Sequence, residues 1–290
     1  MKRISILWLA YLFITVNASP VSAQHVKQRE SDDAASSYAA GVEHHGAGRY
    51  EEAVAAYGQA IRRRPDYAEA YNNLGNAYGE LGRHSEAVAA LRRAIRIKPD
   101  YATAHNNLGV AHAELGHYLE AVEAFRQAIR LSPDYFVAYN GLGKVYVKMN
   151  RYAEAADVLA QATRLKAGDA EAQHNFGYAC YQLGRYGKAA EAFKRATRLR
   201  GDYVAAYNGL GLAYAAAGLY GKAVEALEQA IRIRPDTVEA HLNLGAVYLS
   251  LDRKEAALRQ YAVLRDLNPG AAQSLLEAIH KDKLLVVTKR

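Results

Sequence analysis

Apolar residues recur along this chain with the 3.6-residue period of an amphipathic helix, first over residues 68–81 and again over residues 85–97. Gly82 lies between the two stretches, where a helix commonly ends because glycine adopts turn conformations that other residues avoid. Each stretch is long enough for about three to four helical turns. The pattern therefore predicts a hairpin of two helices.

The hairpin pattern returns every 34 residues. In each copy a pair that ends in glycine is followed by a small residue and then by a large apolar or aromatic one. The small residues allow the helices to approach closely, and the large residue fills the gaps between them. Within a repeat numbered 1–34, the glycine is position 8 and the large residue is position 24. Seven copies follow one another without insertion or deletion: 34–67, 68–101, 102–135, 136–169, 170–203, 204–237 and 238–271.

The spacing within a repeat resembles the tetratricopeptide repeat. Repeat 2 carries the match most clearly, with Tyr71, Leu74, Gly75, Tyr78, Ala87, Leu91, Ala94 and Pro99. This resemblance implies an all-α, right-handed superhelical solenoid of seven helix-turn-helix repeats. Residues 272–290, which begin with apolar residues at helical spacing and end in a basic stretch, would form a C-terminal capping helix and tail.

The resemblance also implies that the first helix of each repeat lines a concave groove, through positions that include 5 and 9. Asparagine is frequent at positions 5 and 6 and occurs once at position 9: Asn72, Asn73, Asn76, Asn106, Asn107, Asn140, Asn175, Asn208 and Asn243. A carboxamide both donates and accepts hydrogen bonds, so a row of them could pair with the backbone of an extended peptide. The row is similar to the asparagine ladder in the repeat domains of O-linked GlcNAc transferase-like proteins. The alternative is that these amides bridge neighbouring first helices, and the sequence leaves both open.

The rest of the expected groove is mixed in character. Its centre is basic and aromatic, with Lys144, Lys148, Tyr178 and Tyr181. Its last part is apolar, with Leu212, Leu242 and Leu249, which could contact a partner. The alternative is that the capping helix covers Leu242 and Leu249. The groove lacks the Lys and Arg residues at positions 2, 5 and 6 that a carboxylate clamp for chaperone tails requires.

Composition narrows the function classes. Hydrophobic residues make up 51% of the 290 residues and charged residues 23%, as expected for a folded protein. The single cysteine excludes a disulfide scaffold and a cysteine-rich zinc module. We find no phosphate-binding loop, dinucleotide-binding turn, zinc-protease motif or nucleophile elbow. The sequence therefore predicts a protein that is not an enzyme and has no cofactor or metal site.

The net charge of +7 would suit a nucleic-acid partner, but it falls to +5 if Lys2 and Arg3 are removed with a leader. The arginines that recur at position 29 lie where the second helix ends, and there a cation complements the helix dipole. We therefore expect no nucleic-acid partner.

The N-terminus has the pattern of a signal peptide. Lys2 and Arg3 precede an apolar run over residues 4–16, and small residues around Ala23 suit signal peptidase. The run is short for a membrane span. We expect a signal peptide over residues 1–23, followed by a linker over residues 24–33, and an exported protein, periplasmic or secreted. An uncleaved leader that acts as an anchor is the alternative.

These observations predict an exported protein–protein interaction scaffold that binds an extended peptide or a partner helix in its groove. The alternative is a non-catalytic accessory subunit of an enzyme complex, such as a glycosyltransferase, or of a cell-envelope assembly. The sequence identifies neither the partner nor the oligomeric state.

Overall fold

The computed structural model describes residues 20–281, and the regular structure of this range is entirely helical. The predicted all-α fold is confirmed. The first helices are α1 (Pro20–Gly46), α2 (Tyr50–Arg63), α3 (Ala68–Glu80), α4 (His84–Ile97), α5 (Ala102–Glu114), α6 (Tyr118–Leu131), α7 (Phe136–Lys148) and α8 (Tyr152–Leu165). The remaining helices are α9 (Ala170–Gln182), α10 (Tyr186–Leu199), α11 (Val204–Ala216), α12 (Tyr220–Ile233), α13 (Val238–Ser250), α14 (Lys254–Leu267) and α15 (Pro269–Lys281).

The chain divides into two compact units. Unit 1, Met1–Lys98, contains repeats 1 and 2 with α1 to α4. Unit 2, Pro99–Arg290, contains repeats 3 to 7 with α5 to α14, and also α15. Within each unit the two helices of a repeat pack together, and each hairpin packs against the next. Each unit is therefore a stack of helical hairpins.

The turns inside the hairpins use the left-handed backbone conformation. Gly82 has a φ of 70°, and the equivalent glycines of repeats 1, 3, 5 and 6 share this conformation. Repeat 4 has Asn150 at this place, with a φ of 57°, and repeat 7 has Asp252, with a φ of 56°. Asn and Asp are the residues that replace glycine most readily in this conformation. The 34-residue repeat therefore keeps one turn geometry throughout, even where glycine is absent.

The N-terminal segment differs from the expected linker. Helix α1 begins at Pro20, so residues 24–33 are helical and continue into the first helix of repeat 1. No glycine or proline interrupts this segment, and proline at the first position of a helix favours its start. The predicted signal peptide falls mostly on residues 1–19, outside the described residues.

At position 8 the two helices of a hairpin lie so close together that a side chain would not fit. A Cβ atom added at Gly143 would lie 2.4 Å from Cγ of Leu159, and one added at Gly75 would lie 2.6 Å from Cγ of Leu91. Both leucines, at position 24, are almost completely buried. The large side chain of the second helix thus lies directly against the backbone of the first helix, as the pattern of small and large residues predicts.

The capping helix α15 takes over this contact in repeat 7. A Cβ atom at Gly245 would lie 2.6 Å from Cδ2 of Leu275, and not against Tyr261 at position 24. Leu275 and Ile279 are buried. Helix α15 therefore supplies the side chain that closes the last repeat.

A second rule links one repeat to the next. Where position 24 is phenylalanine, position 6 of the following repeat is glycine: a Cβ atom at Gly141 would lie 2.7 Å from Phe125, and one at Gly209 would lie 2.7 Å from Phe193. Repeats 5 and 7 follow a repeat with leucine at position 24 and have asparagine at position 6. Phenylalanine at position 24 therefore leaves no room for an amide at position 6 of the next repeat, whereas leucine, and Tyr57 in repeat 1, are followed by asparagine.

The position 8 contact predicts a clear difference between two glycines in helices. Gly143→Ala should lower the free energy of unfolding by roughly 1–3 kcal/mol, because its methyl group would overlap Leu159. In the control Gly187→Ala, nothing lies within 4 Å of the added Cβ atom, so the change should raise stability by about 0.5–1 kcal/mol. Chemical denaturation measures both. Equal effects of the two changes would contradict the packing role of Gly143.

The second rule predicts energetic coupling between Phe125 and Gly141. Gly141→Asn should destabilise the protein by roughly 1–3 kcal/mol, since the amide would overlap the ring of Phe125. Phe125→Leu should cost about 1 kcal/mol or more. The double variant recreates the leucine–asparagine pair of neighbouring repeats and should be more stable than the sum of the single effects by at least about 0.5 kcal/mol. A double-mutant cycle without this coupling would refute the rule.

Candidate functional site

The asparagines at position 6 donate hydrogen bonds to the residue at position 5 of the preceding repeat in three places. In unit 1, Nδ2 of Asn73 donates to the hydroxyl of Tyr38 at 3.0 Å. In unit 2, Nδ2 of Asn175 donates to Oδ1 of Asn140 at 3.4 Å, and the Asn243 amide donates to Oδ1 of Asn208 at 2.9 Å. Each bond joins position 6 of one repeat to position 5 of the repeat before it. These amides therefore bridge neighbouring first helices, as in the second of the two interpretations that the sequence allowed.

The bridges leave different hydrogen-bonding groups free along the row. The carbonyl oxygens of Asn140 and Asn208 accept bonds, but their amide nitrogens donate to no described residue. Asn72 and Asn106 are only 3% and 4% exposed and donate to their neighbours Asn73 and Asn107. Asn140 and Asn208 are therefore better placed to donate to a ligand than the buried asparagines.

The row is interrupted where glycine occupies position 6. Oδ1 of Asn106 is buried and has no hydrogen-bond partner, and the next repeat has Gly141 in place of the donor amide. The second interruption lies between repeats 5 and 6, where His174 occupies position 5 and Gly209 position 6.

The predicted basic centre is partly neutralised. Nζ of Lys144 lies 2.9 Å from Oε1 of Glu171, so its charge is paired, while Lys148 is exposed. The nearby rings of Tyr178 and Tyr181 are half-buried. The aromatic part of the predicted centre is consequently more available to a ligand than the charge of Lys144.

A cavity of about 630 Å³ opens in unit 2 along the first helices of repeats 5, 6 and 7. Helix α9 contributes Tyr178 and Tyr181 to the lining of this cavity. Helix α11 contributes Asn208 and Leu212, and α13 contributes Leu242 and Asn243. Four of the predicted groove residues, Tyr178, Tyr181, Asn208 and Asn243, thus share one site. The remaining ones line no part of it: Asn72, Asn73, Asn76, Asn106, Asn107, Asn140, Lys144, Lys148 and Asn175.

The connections between repeats also line this cavity, although only the first helices were expected to form the groove. Arg200, Asp202 and Tyr203 come from the connection before α11, and Arg234 and Thr237 from the connection before α13. The guanidinium of Arg200 lies over the ring of Tyr203, 4.3 Å from its centroid. A basic residue at position 31 followed by a ring at position 34 was the signal that could have found this part.

His174 packs between two rings at the inner end of the cavity. Its ring centroid lies 5.5 Å from that of Phe193 and 5.1 Å from that of Tyr203. Burial lowers the pKa of His174 below its ordinary value, so the imidazole is neutral at pH 7. Nδ1 lies 3.4 Å from Oδ1 of Asn175, an oxygen that accepts, so Nδ1 carries the proton and Nε2 is a hydrogen-bond acceptor.

The two leucines of the last repeat have different surroundings. Both Leu242 and Leu249 pack against the core cluster that includes Leu275 and Ile279 of α15. Leu242 also lines the cavity. The capping helix therefore covers part of the apolar surface that the sequence predicts, and the cavity uses the remainder.

Residues 20–281 contain neither a metal site nor a membrane-spanning helix. No three His, Cys, Asp or Glu side chains in this range converge as ligands for a metal ion. None of the helices in this range has the length and apolar character needed to cross a membrane. The cavity is therefore the strongest candidate site in the described part of the chain.

The stacked hairpins and their groove define a helical-repeat scaffold, and comparison with family models identifies its family. A model described as the cilia and flagella-associated protein 70 C-terminal domain, a tetratricopeptide repeat model, matches residues 67–278, and a model of the tetratricopeptide repeat itself matches residues 43–82. The chain belongs to the tetratricopeptide repeat family. A comparison with curated proteins found no match.

Solved structures share the fold. YrrB, described as a tetratricopeptide repeat protein with an unusual peptide-binding site, is 28% identical, with a TM-score of 0.57 over 63% of this chain and 95% of YrrB. The pilF protein of Pseudomonas aeruginosa is 22% identical, with a TM-score of 0.62 over 74% of this chain and 98% of pilF. A repeat protein from Parabacteroides merdae is 17% identical, with a TM-score of 0.60 over 86% of this chain and 99% of that one. The last two similarities concern the fold alone.

The lowered pKa of His174 predicts a pH-dependent loss of stability. As the pH falls through the ordinary histidine value of 6.5, the unfolded chain takes up a proton at this residue before the folded chain does, which favours unfolding. His174→Asn, which restores the residue typical of position 5, should therefore reduce the fall in melting temperature between pH 7.5 and pH 5. Thermal denaturation at both values measures the difference. An identical fall in the variant would show that His174 does not titrate in this way.

Proposed function

We propose that this protein is an exported scaffold that binds an extended peptide segment of a partner protein in the cavity of repeats 5 to 7. The fold is that of a protein–protein interaction scaffold, and such families are typically non-catalytic. The observation that carries the proposal is a cavity of about 630 Å³, within the size range of ligand sites, which is lined by aromatic and aliphatic side chains together with amide, imidazole and charged groups.

The polar groups of the cavity suit a peptide backbone. The free amide nitrogen of Asn208 can donate to a carbonyl oxygen, and Nε2 of neutral His174 can accept from an N–H group. An extended chain offers both kinds of group at regular intervals. One donor and one acceptor next to apolar walls therefore fit a short extended segment.

The similarity to YrrB supports a peptide as the ligand. That protein is described as having an unusual peptide-binding site, and it shares 28% of its residues with this chain over 63% of the chain. We propose a comparable ligand class here, with the site formed by this chain's own residues, among them Tyr181, Asn208 and Leu212.

Peptide capture can be tested at Leu212, a half-buried residue of the cavity wall. A photoreactive phenylalanine analogue at this position should crosslink the full chain to a partner segment in the source cells. Mass spectrometry of the adduct then identifies the segment. The same analogue at Leu199, which is 46% exposed and does not line the cavity, is the matched control. Adducts formed equally at both positions would contradict binding in the cavity.

The role of Asn208 can be separated from its structural bond. Asn208→Asp keeps an oxygen that accepts from Asn243 but removes the free N–H donor. We expect it to weaken capture about three- to tenfold, the effect of losing one hydrogen bond, with little change in melting temperature. Asn208→Ala should weaken capture and also destabilise the protein, since the buried amide of Asn243 loses its acceptor. Unchanged capture by the Asp variant would leave Asn208 with its structural role alone.

Export is proposed from the N-terminal sequence, in which two basic residues, an apolar run and small residues before position 24 follow one another. Terminal sequencing of the protein purified from its source should then give Gln24 as the first residue. A chain that retains residues 1–23 would contradict cleavage and would favour the anchored alternative.

A further inference from the structure

We propose that the cavity recognises a particular peptide chemistry: an acidic side chain that pairs with Arg200, next to a large apolar or aromatic side chain that enters between Leu212 and Leu242. This inference rests on the proposed function and specifies its ligand. It assigns the charged part of recognition to the connections between repeats, and only the apolar part to the first helices.

Arg200 is a cation held in place without a carboxylate. Its guanidinium lies 4.3 Å from the ring centroid of Tyr203, which fixes the side chain, and among the described residues it forms no ion pair. The same stack occurs in repeat 1, where Arg64 lies 4.5 Å from the centroid of Tyr67. There, however, the arginine also pairs with Asp66 at 3.4 Å. Arg200 stacks on the tyrosine that is equivalent to the partner of Arg64. Because no carboxylate of the described residues pairs with it, its guanidinium can still bind an anion.

The ring beneath Arg200 belongs to the cavity wall. Tyr203 stacks against His174, as Tyr67 stacks against Tyr38 in repeat 1. Because His174 is neutral, it adds no charge of its own beside Arg200. A guanidinium held flat on a ring loses little freedom on binding and can bond a carboxylate through two parallel N–H groups.

Part of the cavity wall is apolar, and the row of amides is interrupted in this part. Gly209 contributes no side chain at position 6, and the almost completely buried ring of Phe193 lies behind it. Leu212, Leu242 and the half-buried ring of Tyr181 complete this wall. A large apolar side chain is the group that gains most by leaving water for such a surface.

The other charged residues of the cavity limit what its ligand can be. Arg234 adds a second cation, and Asp202 and Glu239 add two carboxylates, so the cavity carries no net charge at pH 7. A polyanion such as nucleic acid would meet both carboxylates, whereas one carboxylate on an otherwise apolar segment can pair with Arg200 alone. The balance of charges therefore favours an acidic–apolar peptide over a highly charged ligand.

Selection of peptides tests the inference directly. A library of random heptapeptides displayed on phage is selected against the full chain, and the enriched peptides are measured by fluorescence anisotropy. We expect Asp or Glu within two residues of a large apolar or aromatic residue. Arg200→Gln should weaken these peptides about tenfold, the scale of a charged hydrogen bond, and Leu212→Ser should weaken them as well. The control Arg64→Gln, which removes the corresponding stacked arginine of unit 1, should leave affinity unchanged.

Four results would overturn the inference. Enriched peptides that lack acidic residues, or that bind Arg200→Gln as tightly as the unmodified protein, would refute the role of Arg200 while leaving peptide binding in the cavity intact. Equal weakening by Arg64→Gln would show that the cavity does not determine the effect. A selection that enriches no peptide would overturn both the inference and the proposed function.

Discussion

The contact between a glycine on the first helix and a large side chain on the second is the constraint on which the hairpins depend. In repeat 4, Leu159 occupies the space that a Cβ atom of residue 143 would need, and it is fully buried there. Because protein interiors are close-packed, this spacing leaves no room for a larger residue at position 8. The capping helix satisfies the same constraint at Gly245 by supplying Leu275. The same kind of contact thus recurs along the repeats and is completed in the last one by α15.

The large residue at position 24 also determines the surface on which a ligand would bind. Phe193 reaches into the next repeat and excludes a side chain at Gly209, whereas Leu227 is followed by Asn243. At Gly209 the amide that would bridge two first helices is missing, and the almost completely buried ring of Phe193 is among the residues that line the cavity. Phenylalanine at position 24 thereby interrupts the row of amides and leaves an apolar surface in the groove.

The sequence predicts the helices well because their signals are local. The 3.6-residue period and the turn glycines place α3 and α4 within about a residue of their observed ends. The segment over residues 24–33, expected as a linker, is helical and continues into repeat 1, and it contains no glycine or proline that would break a helix. The loop side of the cavity was also missed, since stacking of Arg200 on Tyr203 requires the connection between two repeats to place them together.

The two interpretations of the asparagines are compatible because a carboxamide has two ends. In Asn208 the oxygen accepts a bond from the next repeat, which orients the amide and leaves its nitrogen free in the cavity wall. A donor oriented before binding loses little freedom when a ligand arrives. The bond that stabilises the stack of hairpins therefore also holds the Asn208 amide in an orientation that suits a ligand. A residue at position 5 can serve both roles only if the next repeat carries an amide at position 6.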